Sequence, residues 1–200
     1  MRCVPIRAAH LAVASFLAVL SPCDAAGQAA PLVLEARSGS AVPLGSFDDG
    51  VRPGEGTGAG FSFGLGFAYS GSGRRTTTFG FAQHRFPCRD AGCRVGESWV
   101  ATAFDVGVRL NLATSGDVIP WIRLAGLAAR TELDAHPDYR GDVTELGFGG
   151  EAGIGLYIGA FESVALNPGV RAAAVNTGLP GGGVLRMRYL VADLGLALAF

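Results

Sequence analysis

Hydrophobic and polar residues alternate with a period of two through much of the chain. In residues 58–70, large apolar side chains occupy every second position, with serine, glycine and alanine between them. The same alternation recurs over residues 99–112, 147–158 and 189–200. Because successive side chains of a β-strand point to opposite faces, this pattern predicts strands with one strongly apolar face and one small or polar face.

Four weaker segments bring the number of predicted strands to eight. They cover residues 32–40, 76–84, 120–130 and 164–175. The last of them contains Pro168, which lacks the N–H group that a continuous ladder requires. The sequence therefore predicts that this strand either starts near Pro168 or carries a bulge there.

The connections between the predicted strands alternate between short turns and long loops. The short turns are residues 71–75, 113–118 and 159–163, and the long polar loops are residues 41–57, 85–98, 131–146 and 176–184. A transmembrane β-strand needs about 9–11 residues, a length that all eight segments reach. The pattern predicts an all-β fold, an eight-stranded antiparallel up-and-down barrel.

The polar faces of these strands carry charged as well as small side chains. A soluble barrel would enclose its aromatic residues, whereas a membrane barrel turns its apolar face to lipid. The large apolar residues outnumber what eight strands can enclose, so we predict a transmembrane barrel surrounded by lipid bilayer. Its narrow lumen would be lined by a charged network in which arginines bridge carboxylates. The predicted network consists of Glu35, Arg37, Asp105, Arg109, Arg123, Glu151, Arg171 and Asp193.

Composition agrees with this fold class and excludes others. The 200 residues include 31 glycines, 49% hydrophobic residues and 16% charged residues, with a formal net charge of −1. High apolar content argues against disorder, and the glycine content argues against a helical protein. All basic residues other than histidine are arginine, and the near-neutral charge gives no support for nucleic-acid binding.

The N-terminus has the organisation of a secretory signal peptide. Arg2 and Arg7 supply a positive start, residues 8–20 are apolar, and small residues follow. Cleavage is expected after Ala25 or Ala29. We therefore predict an exported protein.

The predicted signal peptide spans residues 1–29, with cleavage between 25 and 29, and the barrel domain spans residues 30–200. A retained membrane anchor is the alternative, but the apolar segment is short for a bilayer-spanning helix. A lipoprotein anchored through Cys23 is a second alternative, which Pro22 disfavours.

Two cysteines remain after the predicted cleavage, Cys88 and Cys93. In an oxidising compartment, two cysteines this close predict a disulfide. The chain-entropy estimate for such a small loop is roughly 2 kcal/mol, enough to restrain the loop. Their C-x4-C spacing disfavours a redox motif, and no other cysteine remains to complete a zinc site.

The end of the chain alternates apolar residues, contains a glycine and finishes in a phenylalanine; the residues concerned are Tyr189, Gly195, Leu196, Leu198 and Phe200. This pattern resembles the C-terminal strand of bacterial outer-membrane barrels, whose final phenylalanine is read by the barrel-assembly machinery. With the predicted leader and eight strands, the mature chain resembles small porin-like barrels of the OmpX/OmpW type. The resemblance implies a bacterial outer-membrane location, with the lipid bilayer and the assembly machinery as partners.

One motif matches a catalytic pattern. Gly60, Ser62 and Gly64 fit G-x-S-x-G, but a nucleophile elbow needs a strand–turn–helix context that this alternating segment lacks. His84 has no serine and carboxylate arrangement that the sequence supports. We therefore predict no catalytic residue and no enzyme.

The third long loop is acidic. Its oxygen-bearing residues suggest weak Ca²⁺ binding as an alternative to a solvated loop, but they lack the ligand order of an EF-hand. We predict no metal site and no cofactor. The residues concerned are Glu132, Asp134, His136, Asp138, Asp142 and Glu145.

Three classes of function follow from these features. The first is a structural or surface-interaction barrel with a filled lumen and an extracellular partner that the sequence does not specify. The second is a narrow channel or carrier for a small solute, either hydrophobic or polar, as the resemblance to OmpW-type barrels implies. The third is an outer-membrane lipid-modifying enzyme, for which the sequence offers no supported site.

Overall fold

The computed structural model describes residues 32–45, 47, 57–72, 74–88, 98–134, 144–161, 163–179 and 183–200. The predicted signal peptide lies outside these residues, so its existence and its cleavage site stay predictions. None of the described residues forms a helix long and apolar enough to cross a membrane.

Eight antiparallel strands form a closed barrel in which each strand pairs with its neighbours in sequence and β8 pairs with β1. This confirms the predicted fold class. The strands are β1 (Leu32–Pro43), β2 (Gly60–Ser72), β3 (Arg75–Pro87), β4 (Ser98–Asn111), β5 (Val118–Asp134), β6 (Gly147–Phe161), β7 (Val164–Gly178) and β8 (Val184–Ala199).

The two ends of the barrel differ in their connections. One end carries the short connections 73–74, 112–117 and 162–163, together with both ends of the barrel domain. We call this the short-turn end. The opposite end, the long-loop end, carries the other four connections, residues 44–59, 88–97, 135–146 and 179–183.

Several strands extend further toward the long-loop end than the sequence predicted. β3 continues to Pro87, β5 to Asp134 and β7 to Gly178. The outward side chains in these extensions include Arg85 and Glu132, both exposed. The backbone ladder continues there although the outer face is no longer apolar, which is why hydrophobic alternation underestimated the strand lengths.

Both predictions for the seventh strand are wrong. β7 starts at Val164 and is continuous, so it does not begin near Pro168. The pairs Gly155–Gly169 and Ile158–Leu166 keep one register, so there is no bulge at the proline. Instead, the ladder to β6 lacks the two pairs in between, whereas the ladder to β8 continues through Pro168. The missing N–H interrupts hydrogen bonding on one side without displacing the strand.

The outer face of the barrel is apolar over most of its height. Its exposed large side chains include Phe67, Phe104, Ile154 and Leu196. A soluble protein rarely exposes a continuous apolar surface of this size. The large apolar residues of the predicted alternation therefore point outward, as a lipid-facing surface requires.

The interior is divided into two layers. The layer near the long-loop end is an apolar cluster, and the middle and the short-turn half contain the charged residues. We call the first layer the apolar plug. It consists of Ala41, Phe47, Phe86, Trp99, Ala101, Ala103, Leu127, Ala129, Ala173, Val175, Leu185, Met187, Tyr189 and Val191.

A charge on the outer face tests its contact with lipid. Phe104 lies midway along β4 and is 60% exposed. Phe104→Arg is expected to lower the free energy of unfolding from vesicles by about 2–4 kcal/mol, the cost of an arginine at the bilayer midplane. Gln83→Arg, an exposed position nearer the long-loop end, should cost about 0–1 kcal/mol. Equal costs in urea titrations would contradict a lipid-facing surface.

Candidate functional site

The charged residues of the interior form a chain of six ion-paired residues and a separate Glu35–Arg109 pair, which together we call the lumen network. Six strands contribute to it, namely β1, β4, β5, β6, β7 and β8. Its four arginines and four carboxylates carry no net charge, and every one of these side chains is at least nine-tenths buried. The members are Glu35, Arg37, Asp105, Arg109, Arg123, Glu151, Arg171 and Asp193, all of which the structure places in the lumen.

Arg123 on β5 is the centre of the network. Its guanidinium donates to the carboxylates of Asp105 and Glu151. Its Nε also donates to Thr78 Oγ1 at 3.1 Å. A planar guanidinium with several donors suits this role, because it binds two carboxylates and a hydroxyl at fixed angles.

Arg171 and Arg37 extend the network across the lumen. Arg171 Nη1 donates to Glu151 Oε2 at 3.1 Å, and its Nε donates to Asp193 Oδ2 at 3.0 Å. Arg37 Nη2 lies 3.9 Å from Asp105 Oδ2. Glu151 and Asp105 therefore each face two arginines, which offsets part of the cost of burying four carboxylates.

Glu35 forms the part of the network that includes aromatic side chains. Arg109 Nη1 donates to Glu35 Oε1 at 2.6 Å, and the Tyr157 hydroxyl donates to the same oxygen. The Arg109 guanidinium carbon lies 4.5 Å from the centroid of the Tyr157 ring and 5.8 Å from that of Trp121. Trp121 Nε1 in turn donates to Asn167 Oδ1 at 2.9 Å. Aromatic faces stabilise the buried cation on the side that carboxylates do not cover.

Glycines on the inner face make room for these side chains. A Cβ atom on Gly80 would lie 2.3 Å from Asp105 Oδ2, and one on Gly153 would lie 2.8 Å from Arg171 Cγ. Both distances are too short for ordinary contact. The small inward residues of the alternating pattern therefore leave the space that large charged residues on neighbouring strands occupy.

The apolar plug lies between the lumen network and the long-loop end. The rings of Phe47 and Phe86 meet edge to face with centroids 5.0 Å apart, and the Phe86 ring lies 5.4 Å from that of Tyr189. Phe86 and Tyr189 are fully buried. Rings at these distances are in close contact, so this part of the interior is a packed apolar layer.

The structure pairs Ser62 with His84, which sequence reasoning did not. The two residues lie opposite each other on β2 and β3, and Ser62 Oγ is 2.9 Å from His84 Nδ1. Both are buried, and the His84 ring lies 4.9 Å from the Tyr189 ring. The only signal in the sequence was that both residues occupy inward positions of neighbouring strands.

The residues of the C-terminal pattern fall on both faces of β8. Leu196, Leu198 and Phe200 are exposed on the outside, whereas Tyr189 and Gly195 are buried inside. Tyr189 thus belongs to the apolar plug.

The remaining predictions concern the loops at the long-loop end. Cys88 forms an isolated backbone bridge with Thr57, and Cys93 lies outside the described residues, so their pairing stays a prediction. Most of the acidic loop also lies outside them. Within the described residues, no three histidine, cysteine or acidic side chains are grouped so as to hold a metal ion.

Sequence reasoning missed the aromatic part of the network and the apolar plug. Tyr157, Trp121 and Asn167 share the inward face with the charged residues, and this shared parity was the available signal. The plug was missed because its residues resemble lipid-facing ones in composition.

A closed eight-stranded barrel with an apolar outer face and buried charged residues inside has the architecture of a small transmembrane β-barrel. No protein-family model and no curated protein matches the chain. Solved structures do match its fold.

One similar structure is Neisserial surface protein A (NspA), with a TM-score of 0.63 and 14% identity, covering 86% of this chain and 98% of that chain. A second is the outer membrane protein OprG from Pseudomonas aeruginosa, with a TM-score of 0.58, 12% identity and coverage of 86% and 97%. A third is the outer membrane protein AlkL in lipid bilayers, with a TM-score of 0.52, 16% identity and coverage of 90% and 95%. The chain therefore has the fold of small bacterial outer-membrane β-barrels.

Proposed function

We propose that the protein is an outer-membrane barrel with a structural or surface-interaction role and a lumen too well filled to conduct ions. The observation that carries this proposal is that two layers lie one behind the other inside the barrel. The apolar plug lies nearer the long-loop end, and the neutral lumen network lies nearer the short-turn end. An eight-stranded barrel is just wide enough for its own side chains.

The lumen network opposes ion passage because its charges are already paired. An ion that enters would have to displace a guanidinium or a carboxylate from a buried partner, such as Arg123 from Glu151. The displaced group would be left buried without its partner, and a buried charge that loses its partner costs about 3–5 kcal/mol. The apolar plug opposes passage for a different reason, since its packed hydrocarbon side chains cannot replace the water around an ion.

The long-loop end supports the surface role. Four of the seven connections lie there, including the longest, and in transmembrane barrels the longer loops face the outside. Binding residues are concentrated in loops that a rigid scaffold positions. We therefore place the contact with an extracellular partner at this end, and the short-turn end in the periplasm.

We further propose that the protein is not an enzyme. The Ser62–His84 pair is the arrangement closest to a catalytic one among the described residues, but it faces the lumen. The barrel wall separates it from membrane lipids, and Tyr189 and Phe86 pack beside the His84 ring. Within the described residues, a lipid ester in the bilayer would have to cross the barrel wall to reach this serine.

Conductance in planar bilayers tests the filled lumen. We expect purified protein to insert without discrete current steps, because neither interior layer provides a water-filled path. Insertion is verified separately by the altered electrophoretic mobility of folded barrels before and after heating. Regular openings of uniform size would overturn the proposal in favour of a narrow channel or carrier for a small solute.

A further inference from the structure

The outer wall of the barrel contains a groove near the short-turn end. Its cavity volume is about 730 Å³, and it lies across β5, β6 and β7, with Leu112 and Ala192 at its margins. Ile122, Ile154 and Val170, which line it, are exposed on the outer face of the barrel. The groove is therefore open to whatever surrounds the barrel.

The groove coincides with the interruption in the β6–β7 ladder. Pro168 lines it, and the two missing pairs lie between Gly155–Gly169 and Ile158–Leu166. The ladder lacks one N–H donor there, and the two facing glycines carry no side chain, so the wall is thin at this point.

The floor of the groove is the indole ring of Trp121, which comes from the lumen side. A Cβ atom on Gly155 would lie 2.3 Å from Trp121 Cζ2, and one on Gly169 would lie 3.1 Å from it. The facing glycines thus let the ring pack directly against the wall from the lumen side, with 4% of Trp121 left exposed. Because Trp121 Nε1 donates to Asn167, the polar atom of the ring is satisfied, and its carbon edge remains for contact with a ligand.

We propose that this groove binds the acyl chain of a membrane lipid, in the leaflet on the short-turn side. The proposal rests on the proposed function, since it requires the apolar outer face to lie in a bilayer. The lining is apolar except for Asp193, whose carboxylate is bonded to Arg171.

Hydrocarbon is the occupant that this lining fits. A buried water needs two to four polar partners, which the groove does not offer. An empty groove would forfeit dispersion contacts along its whole lining. A lipid acyl chain makes these dispersion contacts along the lining, and acyl chains already surround this part of the wall. The bound chain then touches Trp121, which also lies beside Arg109 of the lumen network.

Tryptophan quenching by brominated lipid tests the groove directly. The chain has two tryptophans, so Trp99→Phe leaves Trp121 as the only emitter in the reconstituted barrel. We expect vesicles of dibrominated phosphatidylcholine to quench Trp121 strongly relative to unbrominated vesicles. Val170→Phe, which fills the groove, should remove most of this quenching. Val106→Phe, the same exchange at an exposed outward position outside the groove, should leave it unchanged.

A reporter on the outer wall separates the two proposals. Phe104→Trp in a chain lacking both native tryptophans should be quenched if the outer face lies in lipid. Absence of that quenching would overturn the membrane placement and the groove proposal together. If the reporter is quenched but Val170→Phe and Val106→Phe behave alike, the groove proposal alone is overturned, because quenching then acts through the wall. Ile122→Phe serves as a second filling variant if Val170→Phe does not assemble.

Discussion

Replacing Arg123 by alanine is expected to lower the free energy of unfolding by about 3–5 kcal/mol, the usual cost of breaking a buried ion pair. The substitution leaves the carboxylates of Asp105 and Glu151 without their shared cation and Thr78 without its donor. Arg171 still contacts Glu151, which places the expected cost within this range rather than above it. Urea titrations of the barrel refolded into vesicles, followed by tryptophan fluorescence, measure the change.

Two comparisons show whether the cost comes from charge. Arg186→Ala removes an exposed arginine from the outer face of β8 and should change stability by less than about 0.5 kcal/mol. Arg123→Ala combined with Glu151→Gln should cost less than the sum of the two single changes, because the second change removes a charge that the first left unpaired. Coupling of about 0.5–3 kcal/mol is typical of contacting residues. Strict additivity would show that the network acts only by filling space.

The face of the strand on which each side chain lies was predictable, because it depends only on whether the residue occupies an odd or an even position along the strand. Asp105 and Arg109 are four residues apart on one strand, so a pleated strand must place them on the same face. Once the apolar neighbours are assigned to the outside, both charges point inward. No information about other strands is needed for this conclusion.

The partners within the network were not predictable. Arg109 and Glu35 bond across 74 residues of sequence, and this contact depends on how far each strand is shifted along the next when the barrel closes. The shift is a property of the whole barrel. Local alternation places both residues inside but does not say which carboxylate each arginine meets.

The apolar plug was not predicted because a single strand carries its apolar residues on the outer face at one level of the barrel and on the inner face at another. On β8, Leu194 and Leu196 are exposed outside, whereas Leu185 and Met187 are buried inside. The outer face contacts hydrocarbon in the middle of the barrel and polar surroundings near the long-loop end. The apolar residues of a strand therefore lie on the outer face in the first region and on the inner face in the second. A rule that assigns apolar residues to the outside holds only within the bilayer.

Pro168 illustrates a feature whose position, but not its consequence, was evident from the sequence. The missing N–H predicted an irregularity in the seventh strand. Its actual effect depends on Gly155 on the neighbouring strand and on Trp121 beyond it. These residues are brought together only by closure of the barrel, so a gap with a tryptophan floor was not foreseeable.

Replacing Phe86 by alanine is the second change with a large expected effect, about 3–5 kcal/mol of lost stability. Phe86 is fully buried in the apolar plug, and its ring contacts those of Phe47 and Tyr189. The plug is held between rigid hydrogen-bonded strands, so it cannot collapse around the cavity that alanine leaves. The cost therefore includes a cavity term in addition to the lost apolar transfer.

Phe104→Ala is the matched control, since it removes the same side chain from the lipid-facing side of the wall. Lipid chains are fluid and close over the gap, so only the transfer contribution is lost, about 1.5–3 kcal/mol at most. Urea titrations in the same vesicles should rank Phe86→Ala as the more destabilising change. The emission of Trp99, another member of the plug, should shift toward that of a water-exposed indole only in Phe86→Ala. Equal losses and an unchanged spectrum would mean that the plug is loosely packed, and that the lumen owes its closure to the charged network alone.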